Sequence, residues 1–562
     1  MDYKKHIAQM ISAAGLEDLP AEELIIPTAD RSMGDYSLPC FRLAKQFKKP
    51  PQAIAEQLAA ALVPDGVISK VQAVSGYLNF TLNRAAAALE TVTRILGEGG
   101  RYGSDRIGAD KTICIDYSSV NIAKPFHIGH LSTTVIGAAL YRIYKFLGYN
   151  VVGINHLGDY GTQFGKLIAA YKRWGSEQQI QSGRIKAMLE IYVKFHDEEQ
   201  RDPSLTDEAR GWFKKIEDND PEALALLEWF KKLTLADIQA IYDRLGVTFD
   251  SYHGESFFND KMQPVIDELG QKGLLKTDNG AGIVDLEEYG MPPCLIVKSD
   301  GTSLYATRDI AAALYRKQTY DFDKCLYVVA YQQNLHFKQF FKVLELMGRD
   351  FASDLVHVSY GMVSLEDGGS MSTRKGNVVF LENVIDACVA KAADIIAAKN
   401  PDLENRAEVA EKVGVGAVVF SALINNRIKD IVFSYERVLS FEGETAPYVQ
   451  YTCARAHSVL AKQAPDLALA DFSEVTDEES ALASLLAALP GTVRAAAERY
   501  EPSFVTRLAI DIAKAYNKFY FECRILGESQ GVMHRRLALT AAALTTLKNA
   551  LALIGIPVPE KM

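Results

Sequence analysis

Residues 112–117 read TICIDY and residues 127–130 read HIGH, and this pair of segments decides the fold of the surrounding chain. The first has the apolar, β-branched composition of a buried strand, and the second opens a helix-like run over residues 131–147. A strand, a turn and a helix N-terminus together favour phosphate, because free backbone N–H groups and the positive end of the helix dipole point at the ligand. Gly129 has no Cβ and lets the backbone approach closely. The sequence therefore predicts a nucleotide site here, with two imidazoles as hydrogen-bond donors.

Other interpretations of HxGH stay open on these residues alone. A pair of histidines with purely structural partners near a helix start explains the motif about as well as a nucleotide site does. A zinc site is less well supported, since the chain has no HExxH and no cysteine close by. Residues 161–166 (GTQFGK) do not form a Walker A motif, because the glycine spacing is too short and leucine follows the lysine.

Size and composition bound the class of protein. A chain of 562 residues exceeds one ordinary core and predicts two to four domains. We find no apolar run of the roughly 20 residues that a membrane span needs, and no secretory signal. The seven cysteines lie far apart without a CxxC pair, which predicts reduced thiols in a cytoplasmic protein.

A net charge of −10 argues against nucleic-acid binding as a property of the whole chain, but it leaves room for local basic strips. Two candidates are Arg42-Lys45-Lys48-Lys49 and Arg535-Arg536. We interpret each first as a solvated face and second as a contact to nucleic acid.

The order of predicted elements divides the chain into three regions. Residues 1–105 read as a small α+β unit, and residues 436–562 as an all-α bundle rich in alanine and leucine. Between them, residues 106–435 alternate short apolar strands with helices, which predicts a parallel α/β sheet with a helical insertion near 175–250. Strand candidates in that sheet are 112–117, 150–156, 293–299, 324–330 and 354–360.

Residues 118–130 (SSVNIAKPFHIGH) resemble the ATP-binding signature of class I aminoacyl-tRNA synthetases, in the form found in arginyl-tRNA synthetases. Residues 34–37 (GDYS) resemble the N-terminal domain of that family, which contacts the tRNA elbow, and residues 448–458 resemble the start of its helical anticodon-binding domain. The resemblance implies an α/β class: a Rossmann-like parallel-sheet catalytic domain, a small α+β N-terminal domain and an all-α anticodon-binding bundle. The boundaries expected are 1–105, 106–435 and 436–562.

A second nucleotide signal lies at residues 368–377 (GGSMSTRKGN), where glycines, hydroxyls and two cations suit a phosphate-clamping loop. A basic surface turn is the alternative. The segment resembles the KMSKS signature, although Ser370 replaces its first lysine. Members of the arginyl group carry a lysine before HIGH that supplies the lost charge, and Lys124 matches it; Arg374 and Lys375 are the local alternatives, and the choice stays open. The resemblance implies this ATP-binding set: His127, Gly129, His130, Met371, Ser372, Arg374 and Lys375.

A third signal is the helix-like run that begins at Tyr305, in which Tyr305 and Asp309 are four residues apart and share one face. A phenol and a carboxylate side by side suit a planar guanidinium. A surface pairing of Asp309 with Arg308 or Lys317 is the alternative. The resemblance implies that the arginine-binding residues are Asn121, His156, Glu255, Tyr305, Asp309 and Gln333. Glu255 has the weakest sequence match of these.

The resemblance also implies the reaction. ATP activates L-arginine to arginyl-adenylate, and the arginyl group passes to the terminal ribose of tRNA(Arg), with His127, His130 and Lys124 as the catalytic residues. Mg²⁺ is expected with ATP, and no protein metal site is expected. A monomer is expected, with no membrane partner and with bound tRNA required for the first step. A site built around hydrogen bonds to a guanidinium rejects lysine by about 10⁴–10⁵, so no editing site is needed.

Three rival functions compete with this interpretation. Another class I synthetase shares HIGH but lacks the pair Tyr305 and Asp309, and a small-molecule nucleotidylyltransferase needs neither terminal domain. A catalytically inactive RNA-binding paralogue is the option without enzymatic activity. Two residues depart from the arginyl pattern near the ATP site: Val120 replaces a usual proline, and Ser132 replaces a frequent arginine.

Overall fold

The computed structural model describes residues 3–15, 19–28, 33–122, 124–299, 305–365 and 379–562. The chain splits into two compact units. The first comprises Met1–Tyr102, Ala456–Ala488 and Asp511–Thr546, and the second comprises Gly103–Arg455, Leu489–Ile510 and Leu547–Met562.

Helices and strands follow one another along the whole described chain. The strands are β1 (Ile26–Pro27), β2 (Tyr36–Pro39), β3 (Ile68–Val74), β4 (Tyr77–Leu82), β5 (Thr112–Asp116), β6 (Asn150–Ile154), β7 (Leu275–Asp278), β8 (Ala281–Val284), β9 (Cys294–Val297), β10 (Lys324–Tyr327), β11 (Leu355–His357), β12 (Val363–Leu365) and β13 (Ile431–Phe433). The helices are α1 (Tyr3–Ala13), α2 (Ala21–Leu24), α3 (Ala44–Phe47), α4 (Pro51–Ala61), α5 (Arg84–Glu98), α6 (Leu131–Phe146), α7 (Thr162–Trp174), α8 (Glu177–Glu199), α9 (Ser204–Glu217), α10 (Pro221–Leu245), α11 (Met262–Gln271), α12 (Tyr305–Tyr320), α13 (Asn334–Leu346), α14 (Leu381–Lys399), α15 (Arg406–Leu423), α16 (Tyr435–Val438), α17 (Ala446–Leu460), α18 (Asp477–Ala487), α19 (Leu489–Glu498), α20 (Ser503–Glu522) and α21 (Gln530–Leu553).

The N-terminal part of the first unit is a four-stranded antiparallel sheet in the order β1-β2-β4-β3, packed against helices. Strands β3 and β4 join through Ser75 and Gly76, both with positive φ, which is the geometry that a tight hairpin requires. Ile7, Leu38 and Phe80 are fully buried in the core of this domain. The predicted small α+β fold is confirmed.

The helical part of the first unit contains a buried ion-pair cluster. Glu479, on α18, has no exposed surface and lies 2.7 Å from Nε of Arg536 and 3.2 Å from Nε of Arg535. The interpretation of Arg535-Arg536 as a solvated or tRNA-binding strip was therefore wrong, because these guanidinium groups pair with a carboxylate more than fifty residues away. In contrast, Arg42, Lys45, Lys48 and Lys49 are all exposed.

The second unit is built on a parallel sheet in the order β11-β10-β5-β6. Cys114, Ile115 and Leu326 are completely buried, as expected of strands covered on both faces. The chain leaves β5 toward β6 on one side and later returns to β10 on the other side. The topological switch point, where open α/β sheets bind ligands, therefore lies between β5 and β10. The predicted Rossmann-like α/β arrangement is confirmed.

One strand candidate belongs to a different sheet. Residues 293–299 were predicted to join the parallel sheet, but β9 pairs antiparallel with β8 in a separate sheet of order β7-β8-β9. In β9 the side chains alternate: Cys294 and Ile296 are buried and Leu295 is 42% exposed. Such alternation is typical of a half-buried antiparallel strand, and a short apolar run alone does not specify its neighbours.

Helices dominate the remaining regions. Residues 175–250 hold α8, α9 and α10 between two strands of the parallel sheet, and residues 436–562 contain helices and no strand; both stretches are fully described. By length and hydropathy alone, residues 477–498 pass as one possible membrane span. Their apolar side chains belong to protein cores, since Leu482, Leu486 and Val493 have no exposed surface.

Candidate functional site

The HIGH segment forms a capped turn at the carboxyl end of β5. Residues Ile128–His130 make one turn of 3-10 helix that leads directly into α6. Nδ1 of His127 accepts a hydrogen bond from the backbone N–H of Gly129 at 3.1 Å, and Nδ1 of His130 accepts one from the N–H of His127 at 3.2 Å. An imidazole nitrogen that accepts carries no hydrogen, so both rings have their N–H at Nε2.

Both imidazoles are neutral near pH 7. Loss of hydration, together with the charge of Lys124, lowers the pKa of His127 to about 4. Burial, with His127 adding to it, holds the pKa of His130 well below its usual range. The centroids of the two imidazole rings lie 3.9 Å apart, and the ring of His130 stacks on that of Phe126 with 5.2 Å between centroids. The pair therefore presents rigid, uncharged Nε2–H donors rather than cations.

The chain returns beside HIGH just after residue 378. Val379 accepts a backbone hydrogen bond from Ile128 at 3.0 Å, and Leu381 donates one to Phe126 at 2.9 Å. His127 and Phe380 form an antiparallel bridge between these hydrogen bonds. The predicted ATP-binding residues Met371, Ser372, Arg374 and Lys375 lie outside the described residues, but the segment that follows them is fixed against the HIGH turn.

Asn121 is held beside the loop that follows β6. It forms a parallel β-bridge with Gly158. The N–H of Gly158 donates to the carbonyl of Val120 at 2.9 Å, and the carbonyl of Gly158 accepts from the N–H of Ile122 at 3.0 Å. A Cβ at Gly158 would clash with Oδ1 of Asn121. Only glycine fits here without displacing that side chain. His156, two residues earlier, is half-buried, and its Nδ1 has no hydrogen-bond partner among the described residues. Burial lowers the pKa of His156.

A buried aspartate positions the loop that carries Glu255. Asp159 is 2% exposed and accepts hydrogen bonds from Nζ of Lys231 at 2.8 Å and from the N–H and hydroxyl of Ser256 at 2.9 and 2.7 Å. Glu255 faces Arg308, with Oε2 and Nη1 3.4 Å apart. Burial raises the pKa of Glu255 to about 7, and Asp309 adds to that rise. The expected arginine-binding glutamate therefore lies near Asp309 while it faces an arginine of this chain.

Asp309 has a partner that the sequence analysis missed. Nε2 of His336, on α13, lies 2.6 Å from Oδ2 of Asp309 on α12. The alternative pairing of Asp309 with Arg308 or Lys317 is wrong, since Arg308 faces Glu255 and Lys317 bonds the carbonyl of Phe322 at 2.8 Å. Burial by itself would raise the pKa of Asp309, but His336, with His156 and Arg316 nearby, lowers it below its usual value.

A buried ion pair joins α12 to the strand that leads to HIGH. Nη2 of Arg316 lies 2.7 Å from Oδ2 of Asp116, the last residue of β5, and both side chains are at most 8% exposed. The other oxygen of Asp116 accepts from the hydroxyl of Ser119 at 2.6 Å. The sequence signal for this contact is a charged residue at the end of an apolar strand.

The structure brings several of the predicted residues together. Lys124 lowers the pKa of His127, Asp309 raises the pKa of Glu255, and His156 lowers the pKa of Asp309. Tyr305, at the start of α12, is 67% exposed, and Gln333 ends an exposed turn after β10. His336 was visible in the run QQNLHF, one helical turn beyond Gln333, but nothing local marked it as a partner of Asp309. Val120 and Ser132, the departures from the family pattern, are each 1% exposed.

Three family descriptions match successive parts of the chain. "Arginyl tRNA synthetase N terminal domain" matches residues 1–82, and "tRNA synthetases class I (R), catalytic domain" matches residues 91–435. "DALR anticodon binding domain" matches residues 449–562. These matches follow the same order as the three regions predicted from the sequence.

Similar proteins match over the whole chain. "Arginine--tRNA ligase" of Alkaliphilus metalliredigens is 51% identical over 567 residues, and that of Clostridioides difficile is 51% identical over 566 residues; each match covers 100% of both chains. Among solved structures, "Thermus thermophilus arginyl-tRNA synthetase" has a TM-score of 0.83 and 26% identity, again with 100% of both chains covered.

Proposed function

The chain belongs to the arginyl-tRNA synthetases of class I, and from this premise we propose which of its residues carry each step of the reaction. It activates L-arginine with ATP and transfers the arginyl group to tRNA(Arg), releasing pyrophosphate and then AMP. The observation that carries our assignment is the arrangement at the switch point. Two neutral histidine donors lie after β5, and two carboxyl groups suited to a guanidinium, those of Glu255 and Asp309, lie near each other.

In the first step, an oxygen of the arginine carboxylate forms a bond to the α-phosphorus of ATP, and the bond from that phosphorus to the leaving pyrophosphate oxygen breaks. The carboxylate is already ionised at pH 7, so the attack needs no general base. His127 and His130 donate their Nε2–H groups to the α-phosphoryl oxygens as charge develops there. Because the capped turn fixes both rings in advance, this stabilisation needs no reorganisation during the reaction.

The substrate side chain occupies the acidic end of the site. Asp309 accepts the guanidinium, and Tyr305, Asn121, His156 and Gln333 complete the contacts in our proposal. Glu255 contributes negative charge nearby while its carboxylate faces Arg308. Lysine presents a point charge in place of a fork and leaves acceptors unpaired, so the site discriminates against it.

Cations hold the phosphate tail of ATP. We assign this role to Lys124, which acts electrostatically on both His127 and Glu255. Met371, Ser372, Arg374 and Lys375 are the further candidates in our proposal, and they precede in sequence the residues 379–381 that contact the HIGH turn. Among the described residues, no group of three metal-binding side chains occurs. In our proposal Mg²⁺ would belong to the ATP substrate, where it would supply positive charge that neutralises the phosphates.

In the second step, the 2′-hydroxyl of the terminal ribose attacks the carbonyl carbon of arginyl-adenylate, the bond from that carbon to the phosphate oxygen breaks, and the hydroxyl proton passes to the phosphate of the departing AMP. We assign residues 1–105 to the tRNA elbow, 106–435 to catalysis and 436–562 to the anticodon. The matched domains support this division of roles. In our proposal, bound tRNA is required for the first step as well.

Two further properties belong to this proposal. All seven cysteines are free and buried, which supports a cytoplasmic protein with reduced thiols. The protein is a monomer that does not bind membranes, which sedimentation velocity at several concentrations and flotation with vesicles test.

Charging of tRNA tests the proposed function directly. The purified protein should attach labelled arginine, and not lysine, to unfractionated tRNA in the presence of ATP and Mg²⁺. Transfer RNA that lacks its terminal adenosine is the control and should accept nothing. Charging with another amino acid, or no charging at all, would contradict the proposal.

A further inference from the structure

We propose that His336 is a positioning residue for substrate recognition, which holds the Asp309 carboxylate in the orientation that receives the arginine guanidinium. This inference rests on the proposed contact between Asp309 and the substrate. Its support is a short hydrogen bond between helices α12 and α13, at the carboxyl end of β10 beside the switch point.

Among the described residues, this contact leaves one side of the Asp309 carboxylate without a hydrogen-bond partner. Nε2 of His336 lies 2.6 Å from Oδ2 of Asp309, and the two side chains are 24% and 28% exposed. A carboxylate offers about four lone-pair sites, of which His336 uses one. Oδ1 and the second lone pair of Oδ2 remain for the two parallel N–H groups of a guanidinium. His336 therefore fixes the direction in which that pair of acceptors points.

The imidazole of His336 is itself held by aromatic neighbours. Its ring centroid lies 5.5 Å from Phe337 and 5.4 Å from Phe340, and Phe340 has no exposed surface. A donor that packing holds in place orders its acceptor before the substrate arrives. Arginine binding then does not have to supply the free energy that orders the carboxylate of Asp309.

Helix docking does not depend on this hydrogen bond. Helices α12 and α13 contribute to one hydrophobic core through fully buried residues that include Ile310, Ala313, Phe340 and Val343. His336 and Asp309 lie at the partly open edge of that core. The hydrogen bond therefore stabilises one side-chain orientation in the site, where Glu255, His156 and Arg316 are the other groups that act on Asp309.

Two variants separate positioning from structure. His336→Leu keeps a side chain of similar size and removes the donor, while His336→Gln keeps an N–H donor near the same point. For His336→Leu we expect the KM for arginine to rise about 10-fold to 100-fold, the range for losing one hydrogen bond to a charged group. The KM for ATP should change less than about twofold, and His336→Gln should recover most of the affinity for arginine.

His196→Leu is the matched control, because His196 also lies near a carboxylate, Glu199 at 3.3 Å, but on helix α8 within the insertion. Its KM for arginine should stay at the wild-type value. The double variant Asp309→Asn/His336→Leu should be no worse than Asp309→Asn alone, because both changes remove the same interaction.

Each remaining outcome overturns the inference. If His336→Leu and His336→Gln behave alike, the donor has no role. If His336→Leu raises the KM values for arginine and ATP equally, or only lowers the thermal midpoint, the residue is structural. If the wild-type protein charges tRNA with arginine but His336→Leu keeps the wild-type KM for arginine, the inference is refuted and the proposed function stands. Wild-type protein that does not use arginine would refute the proposed function with it.

Discussion

At the scale of single residues, the HIGH histidines are the clearest case of sequence specifying chemistry. In each ring Nδ1 accepts a hydrogen bond from a backbone N–H of the turn, so the fold determines the tautomer. Desolvation then keeps both rings neutral. In our proposal these residues therefore act in catalysis by hydrogen bonding to developing charge and not by the attraction of a fixed cation.

This role predicts how an alanine variant behaves. His130→Ala should lower kcat for arginine activation about 10²-fold to 10³-fold, the usual effect of removing one preorganised donor. The KM for arginine should change less than twofold, because the proposed contact of His130 is with the phosphoryl group in the transition state. Steady-state pyrophosphate exchange measures both parameters, with His196→Leu as the control. A KM for arginine that rises as steeply as kcat falls would contradict the role.

Glu255 carries a second prediction at this scale, in which stability depends on pH. Its pKa rises from 4.5 to about 7 on folding, chiefly through burial. Between these values the folded chain binds more protons than the unfolded chain, so stability falls as the pH rises through this window. Complete ionisation of Glu255 lowers the free energy of unfolding by about 3 kcal/mol. Glu255→Gln cannot ionise, and its thermal midpoint should rise relative to wild type from pH 5 to pH 8.

The control for that experiment is Glu190→Gln, which alters an exposed carboxylate on α8. Its midpoint should follow wild type at every pH. Parallel curves for wild type and Glu255→Gln would show that the carboxyl is not desolvated.

At the scale of elements, the site depends on close contacts between loops at the switch point. Gly158 permits the backbone pairing that holds Asn121, and a Cβ there would clash with the amide oxygen of that residue. Gly158→Ala should therefore displace Asn121 and destabilise the protein by about 1–3 kcal/mol, as overpacking does. The KM for arginine should rise as well.

Gly211→Ala is the matched glycine control. Gly211 lies within α9, and a Cβ there meets no atom within 4 Å. Alanine favours helices over glycine by up to about 1 kcal/mol, so this variant should be as stable as wild type or more so. Thermal denaturation and arginine kinetics on both variants check the comparison. Equal behaviour of the two variants would show that the contact at Gly158 has no importance.

Sequence patterns predicted the elements better than their partners. The HIGH turn and the α12 helix followed from motifs within a few residues, since capping and periodicity are local properties. The contact of His336 with Asp309 joins residues 27 positions apart, and that of Arg316 with Asp116 joins residues 200 apart. Such contacts depend on how helices pack on the sheet, which no local pattern records.

At the scale of the whole molecule, the same limit explains why the sheet of β9 and the surroundings of Arg535 and Arg536 were predicted wrongly. Strand β9 was recognised as a strand but assigned to the wrong sheet, because a four-residue apolar run does not specify its neighbours. Arg535 and Arg536 were interpreted as a surface strip, whereas both pair with the buried Glu479. The order of domains was recoverable because the resemblance extended over almost the whole chain.

The central claim is that one site selects arginine and activates it only with tRNA bound. The measurement that tests it most directly is ATP–pyrophosphate exchange with each of the twenty amino acids, with and without unfractionated tRNA. We predict exchange with arginine alone, and only when tRNA is present. Exchange with any other amino acid would contradict the assignment of the pocket around Asp309, and exchange with arginine in the absence of tRNA would contradict the coupling.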